Sequence, residues 1–219
     1  MWHQIEQFGD KIVNISAKHP EGIHLLGYSQ GALIARVIVQ AFPTLKIRNL
    51  ISLSGPQAGQ YGTAFLHIIF PELALKTAYE LFYSYVGQHT SVGNYWNDPY
   101  HQDLFYKYSQ FLPYINNALL SNRSEEFKEG LANLNKLVLI GGPDDNVITP
   151  WESSQFGYYN ENVTVINMRD RDIYTNDLIG LKTLDKQKKL DVITVSGIDH
   201  FSWHKNVTVV DEYILPYLD

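Results

Sequence analysis

Five residues, Gly27-Tyr28-Ser29-Gln30-Gly31, constrain this chain more than any other stretch. They form a G-x-S-x-G run and stand between two patterns of different period. Ahead of them, Ile23-His24-Leu25-Leu26 is a short apolar run of the length of a buried strand. Behind them, from Gly31 to Phe42, Leu33, Ile34, Val37, Ile38 and Ala41 recur at helical spacing, and Pro43 marks the end. A strand that passes straight into a helix through such a run makes a sharp turn, which pushes the serine hydroxyl out over the strand end. Both flanking glycines are expected to be needed there, because side chains would collide with neighbouring backbone. The helix that follows aims its first N–H groups at the same place, where an oxyanion could be stabilised. Ser29 is thus the candidate nucleophile, and the backbone N–H of Gln30 a candidate oxyanion donor. The bland alternative is an incidental serine in a glycine-rich connection; the strand and helix on either side argue against it.

The rest of the chain reads as one α/β domain of 219 residues. Residues 1–18 suggest an amphipathic helix with Ile5, Phe8, Ile12 and Ile15 on one stripe. Further strands are expected at Ile47 to Leu53, Lys136 to Ile140, Val163 to Ile166 (peripheral) and Val192 to Val195. Leu178 to Lys189 and Val207 to Tyr217 read as helices. Residues 60–115 hold about half of all the aromatics and no strand pattern, with a helix expected from Glu72 to Tyr85. Residues 60–135 are therefore read as a helical cap inserted between sheet strands. Its aromatics, with Trp151, could wall an apolar groove, ordinary packing being the alternative for about half of them.

A serine alcohol needs a base to become a nucleophile. In the α/β-hydrolase fold, the order along the chain is serine, acid, histidine, each just past a strand. Asp144 and Asp145 follow the strand ending at Ile140, and Asp199-His200 follows the strand ending at Val195. His200 is the best placed histidine, His204 its rival, and His24 reads as a core or edge residue. Either aspartate could be the acid, and a plain solvated turn is the alternative for both.

Several classes of function are disfavoured. The net charge of -6 leaves no footprint for nucleic acid. No apolar run is long enough to span a bilayer, and the first residues do not form a signal peptide. With no cysteine, thiolate catalysis and cysteine-ligated metals are removed. With no paired histidines on a helix, no metal site is expected. Sequons at Asn14, Asn122, Asn162 and Asn206 lean toward the secretory pathway, with chance in an Asn-rich chain as the alternative.

These residues also resemble a known family, the palmitoyl-protein thioesterases, and within it the lysosomal type. The similarity rests on His24 to Gly31, on Ile51-Ser52-Leu53-Ser54-Gly55-Pro56-Gln57-Ala58-Gly59-Gln60-Tyr61-Gly62 and on Tyr95-Trp96-Asn97-Asp98-Pro99. It continues through Phe111-Leu112-Pro113-Tyr114-Ile115-Asn116, Leu139 to Trp151, Gly180 to Leu184, and Asp199-His200 near Trp203-His204. The resemblance implies Ser29 as nucleophile, Asp145 as acid and His200 as base. It implies a fatty acyl thioester substrate, no cofactor and a soluble lysosomal glycoprotein. The family pattern also begins with a signal peptide, several strands and a His-Gly loop that supplies a second oxyanion donor; none of these is in this sequence. The expectation is therefore an α/β-hydrolase domain read from its elbow strand onward, with one edge of that strand open and prone to aggregate. Two other functions fit the same residues: a non-catalytic lipid-binding remnant, and a hydrolase of oxygen esters such as a carboxylesterase or lipase.

Overall fold

The computed structural model describes residues 1–218. Among them are strands β1 (Ile23–Tyr28), β2 (Ile47–Leu53), β3 (Lys136–Gly141), β4 (Tyr158–Tyr159), β5 (Val165–Ile166) and β6 (Leu190–Thr194). β1, β2, β3 and β6 form one parallel sheet in that order, while β4 and β5 pair antiparallel as a separate short ladder. The register aligns the strand ends. Tyr28 pairs with Leu53, Leu53 with Ile140, and Ile140 with Ile193, so these four residues stand in one row across the sheet. Whatever follows each of them in sequence emerges at the same edge.

Side chains alternate across a strand, and a parallel sheet is covered on both faces. Leu50, Leu137 and Leu139 point into one apolar cluster, and Ile51, Leu53, Val138 and Ile140 into another. The first is closed by helices α2 (Gln30–Ala41), α3 (Ser124–Ala132) and α4 (Leu181–Lys186), through Ala35, Val39, Leu131, Leu181 and Leu184. The second is closed by the C-terminal segment, through Trp203, Val209 and Ile214. A parallel sheet sandwiched in this way, with a strand–serine–helix turn at its first strand, is the α/β-hydrolase architecture. Among the described residues β1 pairs with β2 alone, and on β1 Leu26 is 44% exposed.

Helix α1 (Trp2–Ser16) forms as expected, but its buried stripe differs. Ile5 and Gly9 are buried and Trp2 and Ile12 pack against the cluster, whereas Phe8 and Ile15 are exposed. The stripe is set by what it meets: Trp2 lies edge-on to Phe111 at 4.8 Å, and Gly9 admits the ring of Phe42 where a Cβ would approach to 2.5 Å.

Three expected helices are shorter or differently wound. Glu72 to Tyr85 divides into a 3-10 turn at Leu75–Thr77 and a helix at Ala78–Phe82. Ser84 then ends the run: its hydroxyl donates to the Leu81 carbonyl and caps the next short helix by accepting from Gly87 N–H. The helix expected over Leu178 to Lys189 spans only Leu181–Lys186, bounded by left-handed Gly180 and Lys188. The closing helix is a π-turn at Val209–Ile214 followed by a 3-10 turn at Leu215–Tyr217. Pro216 has no N–H to continue an α-helical ladder.

Between β2 and β3 the chain is helical, and most of its large aromatics are packing residues. Phe82, Trp96 and Phe111 are wholly buried, and Phe65, Tyr83, Tyr95 and Phe105 nearly so. One buried cation links this segment to α2. Arg36 donates to Gln40 Oε1, Asn116 Oδ1 and the carbonyls of Ile115 and Gln57, and its guanidinium lies 5.1 Å from the Phe156 ring centroid. Burial among neutral acceptors lowers its pKa to about 9.

Helices α2 and α3 touch at Gly130, where an added Cβ would come within 2.4 Å of the Val39 carbonyl oxygen. Gly130→Ala should therefore destabilise the domain by roughly 1–3 kcal/mol, although alanine is the better helix former. Urea unfolding of the variant checks this; unchanged stability would mean that the two helices can separate without loss.

Candidate active site

The site lies along the row of strand ends. β1 ends at Tyr28, and Ser29 follows in a left-handed conformation with φ 52 and ψ -128. For a residue with a Cβ this conformation costs about 1–3 kcal/mol, and the surroundings must hold it. They do so through Ser29 N–H, which donates to the Leu53 carbonyl at 3.0 Å, and the Ser29 carbonyl, which accepts from Ala32 N–H at 3.0 Å. Gln30 is the first residue of α2, so its N–H has no acceptor within the helix and faces the same edge. The Gln30 side chain is fixed too, accepting from Tyr95 Oη at 3.2 Å and lying 3.5 Å from Gln4 Oε1.

The two elbow glycines are not equivalent. A Cβ on Gly27 would sit 2.5 Å from both Ala32 Cα and the Gly31 carbonyl oxygen, inside the turn itself. A Cβ on Gly31 would meet nothing within 4 Å. The expectation that both glycines relieve a collision therefore holds for Gly27 only, because Gly31 points away from the turn into open space.

β3 delivers Asp145 and the segment after β6 delivers His200. The His200 ring bridges the other two residues: Nε2 is 2.9 Å from Ser29 Oγ, and Nδ1 is 2.8 Å from Asp145 Oδ2. Asp145 and His200 are 7% and 4% exposed. Of the two candidate aspartates, Asp144 turns outward and accepts from Gly197 N–H at 2.6 Å, so it stays apart from the histidine. His204 is also outside the chain of hydrogen bonds; its ring packs on Tyr28 at 4.9 Å. Asp199 begins the turn that carries His200, accepting from Phe201 N–H at 3.0 Å and Ser202 Oγ at 2.5 Å.

Three residues that sequence reasoning left without a role complete the site. Ser54, the first residue after β2, donates its hydroxyl to Asp145 Oδ2. Trp203 donates Nε1–H to the same oxygen at 2.8 Å. Tyr28 donates its hydroxyl to the His200 carbonyl at 2.5 Å. Burial pushes the Tyr28 phenol up to about 12, helped by the charges of Asp145 and Asp199, so it remains a donor. Strand-end position could have marked Ser54 and Tyr28; nothing local in sequence marks Trp203.

Asp145 Oδ1 accepts from Val147 N–H at 3.0 Å and Ile148 N–H at 2.9 Å. Burial by itself would raise the Asp145 pKa. Hydrogen bonds from His200, Ser54 and Ile148, with the charge of His200, outweigh it and hold the carboxyl below its ordinary value of 3.8. A cavity of about 510 Å³ elsewhere, lined by Tyr106, Asn117, Tyr158 and Arg171 among others, includes none of Ser29, Asp145 and His200.

Two measurements follow from this geometry. Gly27→Ala should lower the melting temperature sharply, whereas Gly31→Ala should leave stability unchanged or raise it by up to about 1 kcal/mol, the helix propensity difference. Equal effects of the two substitutions would contradict the asymmetry. Because the folded-state pKa of Asp145 is depressed, its contribution to stability is complete above the ordinary carboxylate value and fades as pH falls through the lower folded value. Asp145→Asn should then melt below the wild type at pH 6, with the gap narrowing below pH 3.8. A gap that widens in acid would show the sign to be wrong.

Comparison with known proteins places this geometry. The family model described as palmitoyl protein thioesterase matches residues 1–200. The chain is 56% identical over 218 residues to a protein of Drosophila melanogaster named lysosomal thioesterase PPT2 homolog, covering 100% of this chain and 76% of that one. It is 42% identical to lysosomal thioesterase PPT2 of Mus musculus, covering 100% of this chain and 72% of that protein. Palmitoyl-protein thioesterase 1 of Caenorhabditis elegans is 30% identical over 195 residues, covering 87% of this chain and 64% of that protein. A match over nearly the full chain, on a strand–serine–helix turn in a parallel α/β sheet, makes this chain a member of the palmitoyl protein thioesterase family.

Proposed function

We propose that this chain hydrolyses long-chain fatty acyl thioesters through an acyl-enzyme on Ser29, with His200 as base and Asp145 as the orienting acid. The observation that carries the reading is the unbroken chain Ser29 Oγ–His200–Asp145, with links of 2.9 and 2.8 Å, drawn from three separate strand ends. Asp145 is surrounded by donors and is ionised, so it accepts from His200 Nδ1–H. That fixes the tautomer and leaves the Nε2 lone pair directed at the serine hydroxyl.

In the first half-reaction Ser29 Oγ attacks the thioester carbonyl carbon while His200 Nε2 takes its proton. The carbonyl oxygen becomes an oxyanion, toward which the Gln30 N–H is directed. The C–S bond breaks and the thiolate departs; its low basicity compared with an amine means that it needs little help from an acid, and it carries away the proton held on His200 Nε2, which restores the neutral base. His200 Nε2 then accepts a proton from water as the water attacks the acyl ester. Collapse of that second intermediate returns the proton to Ser29 and releases the fatty acid. Every proton passes through one ring nitrogen, and no cofactor is called on.

The relatives' names support a lysosomal setting for this chain as well. Asn122 and Asn162 are exposed in turns and are the sequon sites best suited to carry glycans. Asn14 is exposed in the last turn of α1, and the Asn206 side chain is half-buried and accepts from Val209 N–H. Among the described residues no helix is long and apolar enough to cross a membrane.

Ser29→Ala should abolish palmitoyl-thioester turnover and labelling by a fluorophosphonate probe. Asp145→Asn should cut kcat by about 10⁴-fold, the size expected when a histidine is left in the wrong tautomer, while Asp144→Asn should be mild. Assaying matched palmitoyl thioester and oxygen ester separates thioesterase from general esterase. Undiminished turnover by Ser29→Ala would end the proposal, and a marked preference for the oxygen ester would reassign the substrate.

A further inference from the structure

We propose that Ser54 is a positioning residue for the thioesterase reaction: its hydroxyl locks the Asp145 carboxylate in the orientation that presents Oδ2 to His200 Nδ1. The inference rests on the Ser29–His200–Asp145 reading above and extends it to a fourth strand-end residue.

The first observation is the division of labour on Asp145. Oδ1 accepts from Val147 and Ile148 N–H, both from the loop that carries the aspartate, and lies 3.1 Å from His200 Nδ1, farther than Oδ2 at 2.8 Å. Which of the two oxygens comes closer to His200 is then set together with the groups that hold Oδ2. The grips come from outside that loop: Trp203 Nε1–H at 2.8 Å, and the Ser54 hydroxyl. An ionised carboxylate only accepts, so the single Ser54 proton is committed to it. The Ser54 oxygen then turns a lone pair toward His200 Nδ1, 3.4 Å away. One hydroxyl thus stands between both members of the acid–base pair.

The second observation is conformational. Ser54 has φ 46, in the left-handed region, and is 1% exposed. Its N–H donates to the Ile140 carbonyl at 2.8 Å, continuing the β2–β3 ladder past the strand end and placing the side chain over the Asp145 loop. Glycine adopts such a φ at no steric cost, so a turn alone would be served better by glycine. A residue with a Cβ kept in this conformation, fully buried, points to a role for the side chain that offsets the strain.

Function and fold therefore make different forecasts for a pair of substitutions. Ser54→Gly removes the hydroxyl and relieves the backbone. Ser54→Ala removes the hydroxyl and keeps the strain. The experiment compares the full chain with Ser54→Gly, Ser54→Ala, Asp145→Asn and the double variant Ser54→Gly/Asp145→Asn, using palmitoyl-coenzyme A turnover and thermal melting. Ser54→Gly should melt above Ser54→Ala, which keeps the strain, yet both should show kcat lower by about 10- to 100-fold with KM little changed, as expected for losing a hydrogen bond to a charged group. In the Asp145→Asn background the same change should cost nothing more, because the carboxylate to be positioned is gone.

Wild-type kcat in Ser54→Gly would overturn the proposal. So would a kcat that recovers in Ser54→Gly relative to Ser54→Ala in step with its higher melting temperature, or a full additional loss in the double variant. Ser29→Ala, run alongside, separates the two readings: if it is inactive while Ser54→Gly is normal, the nucleophile stands and the role of Ser54 falls; if it remains active, the underlying serine mechanism falls instead.

Discussion

The buried carboxylate of Asp145 is the point to which the site is tied. It accepts from the loop after β3, from Ser54 after β2, and from His200 and Trp203 in the segment after β6. A charge so deeply buried would be unfavourable alone, and it is tolerated because its lone pairs are met by donors. Those donors come from segments far apart in sequence, so the charge can be satisfied only when the strands are already in register. Ionised Asp145 therefore reports, and reinforces, the correct assembly of the sheet edge. In the proposed mechanism it also sets which nitrogen of His200 carries the proton, the choice on which the use of Ser29 as nucleophile rests.

The register of the parallel sheet makes this convergence possible. Tyr28, Leu53, Ile140 and Ile193 form one row, and the residues just beyond the first two, Ser29 and Ser54, are both left-handed. Two strained backbone positions side by side turn two adjacent strands toward the same histidine. The apolar faces below hold that strain. Residues alternating into the two clusters leave no freedom for a one-residue slip, which would move each buried leucine or isoleucine to the opposite face.

The helical segment between β2 and β3 is joined to this frame by polar contacts as well as by aromatic packing. Arg36 on α2 grips the carbonyls of Gln57 and Ile115 in the segment, and Tyr95 holds the side chain of Gln30 beside Ser29. Movement of that segment would therefore reach Gln30, the residue directly after Ser29. The same segment supplies Trp96 and Phe111 to the core, so its aromatics stabilise the domain before any of them can line a groove.

Much was legible in the sequence by itself. The elbow was, because G-x-S-x-G between a strand pattern and a helix pattern is a local signal that needs no partner to be read. The parallel strands were, because continuous apolar runs bounded by glycine and proline mark strands buried on both faces. The pairing of Ser29 with a downstream aspartate and His200 followed from strand-end positions alone. Tertiary structure decided the rest. Asp144 and Asp145 are neighbours with the same chemistry, and only the fold directs one outward to Gly197 and the other inward to His200. The stripe of α1 depends on where Trp2 meets Phe111, and the freedom of Gly31 on what lies beyond α2. Ser54 and Trp203 lie 91 and 58 residues from Asp145, and no local pattern can announce a hydrogen bond made across that separation. Local sequence fixes which elements form, because propensity and periodicity act within a few residues; only packing of the whole chain fixes which side chains meet at the end of them.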